Sequence, residues 1–342
     1  MFVDTNSLSS ENDSNSPQVN DPIILVCAAD DKYAMPLATM TRSVLENLQR
    51  DRRISFYIID GGITKKNKEK ILKTLNNTGC EVYFLSNHSS YFDESFKESV
   101  RYTITEGQAK KHLTIEAYYR LLIPELLPQK FEKAIYLDCD LVVNGDINQL
   151  WEIDLGDKYL LAAPDIWIHS VSAHNGLLNY QQLGIKDKHT KYFNTGVLVI
   201  NVKKWRDEEF LKNATEYLKQ NKEYIRFADQ DILNGLLIEK WGQLDPQWNV
   251  TPGIYEYSSW EVSPFLENVY NSLINKPYIT HFASAAKPWN SRNAIFKEYF
   301  YHYIDKTEWK GWRFTFWKEL QLNLAYKFQK LKTVIYKSII SK

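Results

Sequence analysis

The chain has 342 residues, 44% of them hydrophobic and 25% charged, and its 42 Lys and Arg balance 42 Asp and Glu. This length supports one large domain with an appendage, or two domains, and the charge balance excludes a generally polyanion-binding surface, so no nucleic-acid partner is expected. The three cysteines, Cys27, Cys80 and Cys139, form no CxxC pair, and no stretch reaches the roughly 18 apolar residues that span a bilayer. A cytoplasmic chain, soluble or peripheral at a membrane, is expected.

Residues 1–20 are rich in Ser, Asn and Asp and lack both a basic and an apolar signal region, so they read as a disordered leader before a main domain at 21–300. "PIILVCAA" (Pro22 to Ala29) is an apolar run of strand length, broken by Asp30 and Asp31 and followed by the helical spacing of Pro36, Leu37, Met40, Val44, Leu45 and Leu48. "ISFYIID" (Ile54 to Asp60) is a second strand closed by Gly61-Gly62, Lys65 to Asn77 reads as a helix, and "CEVYFL" is a third strand. This alternation implies βαβ units in a largely parallel sheet covered on both faces. Leu113 to Leu122 reads as a helix ended by Pro124, Lys133 to Leu137 as a buried strand and Tyr159 to Ala163 as a short one. "FNTGVLVINVKKW" (Phe193 to Trp205), a helix to about Lys219 and "DQDILNGLL" (Asp229 to Leu237) entering another helix follow. "YITHFASAAKPW" (Tyr278 to Trp289) is the last strand and loop, and no repeat of fixed period is present.

Side chains two apart on a strand share a face, so Asp138 and Asp140 of "YLDCDLVV" present two carboxylates to one point while Cys139 turns away. Two such anions suit a divalent ion, Mg²⁺ or Mn²⁺, which also takes oxygens from substrate phosphates; a strand end capped by solvated acids is the alternative. His281 adds an imidazole nitrogen that tilts the choice to Mn²⁺, and Lys287 adds a cation suited to a diphosphate. In "CAADDKYA", small Ala28 and Ala29 let a flat ring approach the backbone, Asp30 can accept from a base or ribose, and Tyr33 can stack. Asp30 and Asp31 can equally cap the helix that follows.

In this order, "CAADDKYA", "YLDCDLVV", "YFNTGVLVINVKKWR", "DQDILNGL" and "HFASAAKPW" resemble the successive motifs of glycosyltransferase family 8, from about Ile23 to Trp289. The resemblance implies an α/β GT-A fold, Rossmann-like, with a mixed, mostly parallel sheet flanked by helices. It further implies a UDP-sugar donor bound through Mn²⁺, with Mg²⁺ as the alternative, and retaining transfer of a hexose to a hydroxyl of a glycan, glycolipid or glycoprotein. Galactose is favoured over glucose on the resemblance alone. Carried over residue by residue, Asp138, Asp140 and His281 are the metal ligands, Lys287 a phosphate contact, and Asp30 and Tyr33 the uridine grip, with the backbone of Ala28, Ala29 and Cys139 beside the nucleotide. Arg120 in "EAYYRLLIPE" falls near the diphosphate and sugar, and Asn194, Asp229 and Gln230 at the donor hexose and its reacting face. Because Gln230 is an amide, the expected chemistry is front-face substitution rather than attack by a carboxylate nucleophile. Two positions depart from the family: Lys32 replaces the Asn of "DDNY", and Ser284 replaces the Gly of "HxxGxxKPW", where it is expected to present its N–H to a phosphate with altered geometry.

Two other readings are a sugar nucleotidyltransferase and a catalytically silent sugar-nucleotide or glycan-binding module. The first lacks its glycine-rich, lysine-containing N-terminal loop, and the complete metal set speaks against the second. From Trp309 to Lys342 eight Lys and Arg face only Glu319, while Trp309, Trp312, Phe316, Leu320, Leu324, Phe328, Leu331, Ile335 and Ile339 recur at helical steps. Residues 301–342 therefore read as a basic amphipathic helix or helix pair. It suits the anionic inner face of the cell membrane; docking on the catalytic domain, or on a second subunit of a homo-oligomer, is the alternative.

Overall fold

The computed structural model describes residues 21–324, apart from 50, 77, 87, 110–113 and 323; the expected leader at 1–20 and the tail beyond 324 lie outside the described residues. The elements, in chain order, are β1 (Ile23–Ala29), α1 (Ala34–Asn47), β2 (Ile54–Asp60), α2 (Lys65–Leu75), β3 (Cys80–Leu85), α3 (Glu94–Thr105), α4 (Ile123–Leu126), β4 (Lys133–Leu137) and β5 (Leu141–Val143). They continue with α5 (Ile147–Trp151), β6 (Leu160–Pro164), β7 (Phe193–Asn201), α6 (Val202–Asp207), α7 (Phe210–Asn221), α8 (Asp229–Leu236), β8 (Trp241–Gln243), α9 (Glu267–Asn275), β9 (Ile279–His281) and α10 (Lys297–Ile304).

β1, β4 and β7 are almost continuously apolar because helices cover the sheet on both sides. Alternate residues feed two cores: Tyr136 packs with Tyr118 and Trp205 on one face, Ile135 and Leu137 with Leu37 and Met40 on the other. The seven-stranded sheet has the order β3-β2-β1-β4-β7-β6-β8, and β7 alone of these strands runs against its neighbours.

That one reversal assembles the site. Because β7 is antiparallel to β4, its first residues lie beside the end of β4, and the Asp138 N–H donates to Gly196 O at 2.8 Å. Pro164 at the end of β6 pairs with Phe193, so Asp165 reaches the same rim. A second ribbon of β5 and β9 pairs Leu141 with His281, and the Phe282 N–H donates to Asp140 O at 2.8 Å, which draws a residue 141 positions downstream against the two aspartates.

Three expectations change. The helix expected over Leu113 to Leu122 is a 3-10 turn at Ile115–Leu122, and Pro124 opens α4 instead of closing a helix, since its missing N–H costs nothing in a first turn. The boundary drawn at residue 300 falls inside α10, whose Phe300, Tyr303 and Ile304 are buried with Val142 and Phe282. The tail is not helical from Trp309. Trp309 and Trp312 pack back onto the main body, Phe314 is buried, Arg313 holds Asp305 through two bonds of 2.9 and 2.6 Å, and helix begins only at 316.

Candidate active site

Asp138, Asp140 and His281 each offer one ligand atom, and these atoms lie within 4.8 Å of one another. His281 Nε2 is 3.7 Å from Asp138 Oδ2 and 3.3 Å from Asp140 Oδ1. Octahedral coordination at about 2.1 Å sets adjacent ligand atoms about 3 Å apart, so little movement fits these three to a divalent ion. The remaining carboxylate oxygens are already committed. Asp138 Oδ1 accepts from Arg120 Nη2 at 3.0 Å and from the Tyr136 hydroxyl at 2.9 Å, and Asp140 Oδ2 accepts from Lys287 Nζ. Burial lifts the Asp140 carboxyl, but Lys287 and His281 more than reverse this and hold it below the ordinary carboxylate range. Each acid thus keeps one oxygen turned towards the imidazole.

Arg120, which the resemblance puts near the diphosphate and sugar, is buried, stacked 4.4 Å from the Tyr136 ring centroid, and bridges Asp138 to Asp229, whose Oδ2 lies 2.9 Å from its Nε. Burial opposes its charge, and the two acids outweigh that, so the guanidinium stays charged as an internal strut. The Arg120 Nε–H is directed at Ala117 O, at 3.3 Å, which leaves the buried Asp229 Oδ2 without a hydrogen bond among the described residues. Burial, with Asp138 adding to it and Arg120 opposing, lifts the Asp229 carboxyl to about 7. The residue before it, Ala228, has φ 52° and ψ −124°, a strained backbone that turns the start of α8 into the site. Gln230 follows, its Oε1 accepting from Thr195 N at 3.2 Å and its Nε2 donating to Asp165 Oδ2 at 3.2 Å. Asp231 is fully employed, accepting from the Tyr192 hydroxyl and from the N–H groups of Arg226 and Phe227 at 2.6–2.9 Å.

At the nucleotide end, Asp30 Oδ1 accepts from Tyr33 N at 3.0 Å, so this acid does cap the following turn, and its second oxygen is the one a ligand can reach. Tyr33 rests edge-on against Trp289 with ring centroids 6.0 Å apart. Ala28 is half-exposed and its carbonyl accepts from the Cys139 thiol at 3.0 Å, while the Ala29 carbonyl accepts from Gly61 N at 2.8 Å. Lys32 is exposed. Ser284 corrects its expectation: its N–H donates to Phe282 O at 2.7 Å and its hydroxyl to Ala286 O at 3.0 Å, because the loop closes tightly on itself, and neither is turned to a phosphate. Lys287 Nζ also donates to Phe282 O at 2.8 Å, which aims it across Asp140.

The model of the family described as "Glycosyl transferase family 8" matches residues 24–293. The chain belongs to glycosyltransferase family 8. This family 8 chain is 29% identical to general stress protein A of Bacillus subtilis strain 168 over 289 residues, 83% of its own length and 94% of that protein's. It is 30% identical to a lipopolysaccharide 1,2-glucosyltransferase of Escherichia coli K12 over 196 residues, 56% of this chain and 55% of that one. Among solved structures, the galactosyltransferase LgtC with donor and acceptor sugar analogs superposes with a TM-score of 0.68 and 29% identity, covering 84% of this chain and 96% of that one. The fold of the family 8 domain is GT-A.

Sequence reasoning named Asp138, Asp140 and His281, whose ligand atoms converge in the structure, and Asn194, Asp229 and Gln230, which meet Asp165, Arg120 and Thr195 beside them. It missed Asp165 and Asn249, which join Asn194 and His281 in one buried hydrogen-bonded chain. The available signal was position: Asp165 follows a strand whose carboxyl end faces the ligand crevice.

Proposed function

We propose that the chain transfers a hexose from a UDP-sugar to a hydroxyl of a glycan or glycoconjugate, with retention, using a divalent ion at Asp138, Asp140 and His281. The observation that carries this is the convergence of two free carboxylate oxygens and one imidazole nitrogen, with Lys287 beside them. Two anionic oxygens and one nitrogen favour Mn²⁺, with Mg²⁺ as the alternative. When bound, the ion supplies Lewis-acid stabilisation of the negative charge that develops on the departing diphosphate.

The protein's own groups do the rest. Lys287 lies within reach of an oxygen that approaches Asp140 and adds a second positive charge for the leaving group. Arg120 acts through Asp138 and Asp229, holding both carboxylates in place, and not as a phosphate contact. Asp229, Asn194 and Gln230 form the wall offered to the hexose. Gln230 is a neutral amide held at both ends and Asp231 has both oxygens engaged, which supports front-face substitution over a covalent intermediate. The acceptor hydroxyl enters from a cavity of about 250 Å³ beside the phosphate loop, where Trp167, Tyr255, Glu256 and Ser284 offer apolar faces and hydrogen-bonding groups to a sugar. Galactose is the favoured donor sugar and glucose the alternative, since relatives named for each are similar to this chain.

No helix among the described residues is long and apolar enough to cross a membrane. A cytoplasmic enzyme is proposed, peripheral on the inner face of the membrane through the segment after Phe314, which exposes Trp317 and Leu322 by 70% and 54%. A donor panel with Mn²⁺ or with EDTA, read as UDP release, tests the proposed chemistry. One UDP-hexose should be turned over only with Mn²⁺, and Asp140→Ala should lose about 10²–10³-fold. Turnover indifferent to EDTA would contradict it, as would a glycosyl adduct trapped on any side chain.

A further inference from the structure

Asp165 touches none of the three proposed metal ligands, yet it ends a hydrogen-bonded chain that begins on one of them. We infer that Asp165 is a positioning residue that fixes the tautomer of His281, and thereby keeps its Nε2 lone pair available, through Asn194 and Asn249. The inference rests on the metal-site reading above.

Donor and acceptor polarity fixes each link. An ionised carboxylate can only accept. Asp165 Oδ1 accepts the backbone N–H groups of Trp167 at 2.8 Å and Ile168 at 3.0 Å, which fixes the carboxylate in place. Its Oδ2 accepts from Asn194 Nδ2 at 3.0 Å and from Gln230 Nε2 at 3.2 Å. With Nδ2 spent there, the opposite atom of Asn194 is Oδ1, and it accepts from Gly196 N at 2.9 Å and Asn249 Nδ2 at 2.8 Å. The Gly196 N–H can only donate, so it favours the same orientation. Asn249 then presents Oδ1 to His281 Nδ1 at 2.9 Å, so Nδ1 must carry the hydrogen, and in the neutral ring the lone pair falls to Nε2. Asp165, Asn194, Asn249 and His281 are all buried, so no bulk water relieves a reversed link.

The relay opposes what the site does by default. Without it, Nε2–H would donate to Asp140 Oδ1, 3.3 Å away, the natural neighbour of an imidazole beside two carboxylates. That tautomer binds no cation. Holding the lone pair against two anionic oxygens keeps the site ready for a cation at constant charge.

Asp165→Asn tests this with almost no change of shape. The introduced amide would keep its Oδ1 on the two backbone N–H groups and turn its Nδ2 to Asn194 and Gln230; accepting that N–H requires both amides to reverse against the N–H groups of Gly196 and Thr195, and the reversal passes to Asn249 and leaves an N–H pointing at His281 Nδ1. The ¹⁵N shifts of the His281 ring, recorded on the chain without donor in the pH range where the ring is neutral, should show Nδ1–H in the wild type and Nε2–H in the variant. Mn²⁺ affinity, read from the free-ion EPR signal, should fall about 10–100-fold. Nε2–H in the wild type, or one tautomer shared by both chains, would overturn the inference. Should D165N not fold, Asn249→Leu removes the acceptor of Nδ1–H and is expected to give the same switch; an unchanged Nδ1–H there would overturn it equally. Because the ring shifts need neither ion nor donor, a tautomer switch in a chain that binds no Mn²⁺ would support the relay and count against the proposed function instead.

Discussion

Gly196 shows how closely the imidazole is packed. A Cβ at this position would lie 2.3 Å from His281 Cε1 and 3.0 Å from Asp138 Oδ2, so even one methyl group displaces two proposed ligands. Gly196→Ala is expected to weaken Mn²⁺ binding at least about tenfold in an EPR titration while the chain still folds; unchanged affinity would show that the ring can move aside without cost. Asp229 makes a second prediction. Its carboxyl is lifted to about 7 in the folded chain against an ordinary 3.8, so between these values the folded state holds the extra proton. The contribution of this proton to stability therefore falls as pH rises through the window, by up to about 1.4 kcal/mol per pH unit, and that contribution is fully lost above it. Urea unfolding across pH 4–8 should show this slope in the wild type and a shallower one in Asp229→Asn; parallel curves would count against a raised Asp229. At this scale the sequence disclosed the three residues that converge as the proposed metal ligands, because two acids at strand spacing and a distant histidine carry their chemistry in their identity. The role of Arg120 was hidden, since nothing in "YYRLL" tells a buried strut from a phosphate contact. Asp165 and Asn249 were hidden because Asp and Asn in loops are most often turn residues, and only the pairing of Pro164 with Phe193 places Asp165 at the site.

The strands that were legible are those of five residues or more. β1, β2, β3 and β4 follow from continuous apolar runs, and their bounds agree with the sequence reading to within a residue. β5, β8 and β9 have three residues each, too few to show a period, and α9 buries only Leu273. The connection into β4 depends on a side chain that periodicity does not single out. Arg206 of α6 donates to the carbonyls of Pro124, Leu127 and Phe131, each at 2.8 Å, and to those of Gln129 and Pro128 at 3.2 Å. It gathers the carbonyls of α4 and of the turn into β4 with one planar fork, which a lysine's single ammonium cannot copy. Arg206→Lys is expected to cost about 2–3 kcal/mol in urea unfolding and to leave turnover per folded molecule unchanged. A loss below about 0.5 kcal/mol would mean that water satisfies these carbonyls equally well.

For the whole molecule, the structure moves the edge of the catalytic body beyond α10. Trp309, Trp312 and Phe314 continue the core, with Lys70 set 4.8 Å over the Trp309 ring, so the amphipathic pattern starting at Trp309 mixed a buried anchor with a helix held at its start by Arg292, which pairs with Glu319. Both use apolar residues at three- and four-residue steps, and sequence alone does not separate them. Truncation after Tyr303 should therefore lower the melting temperature, whereas truncation after Thr315 should leave it unchanged. Only the full chain should float with vesicles containing anionic lipid, and equal flotation of the chain cut after Thr315 would end the membrane reading. The central claim, that Asp138, Asp140 and His281 hold the ion through which UDP is bound, is tested most directly by calorimetric titration of UDP in Mn²⁺ and in EDTA. Binding should follow one site per chain with Mn²⁺ and weaken at least about 100-fold in EDTA and in Asp140→Ala. Equal UDP affinity in all three would contradict the account.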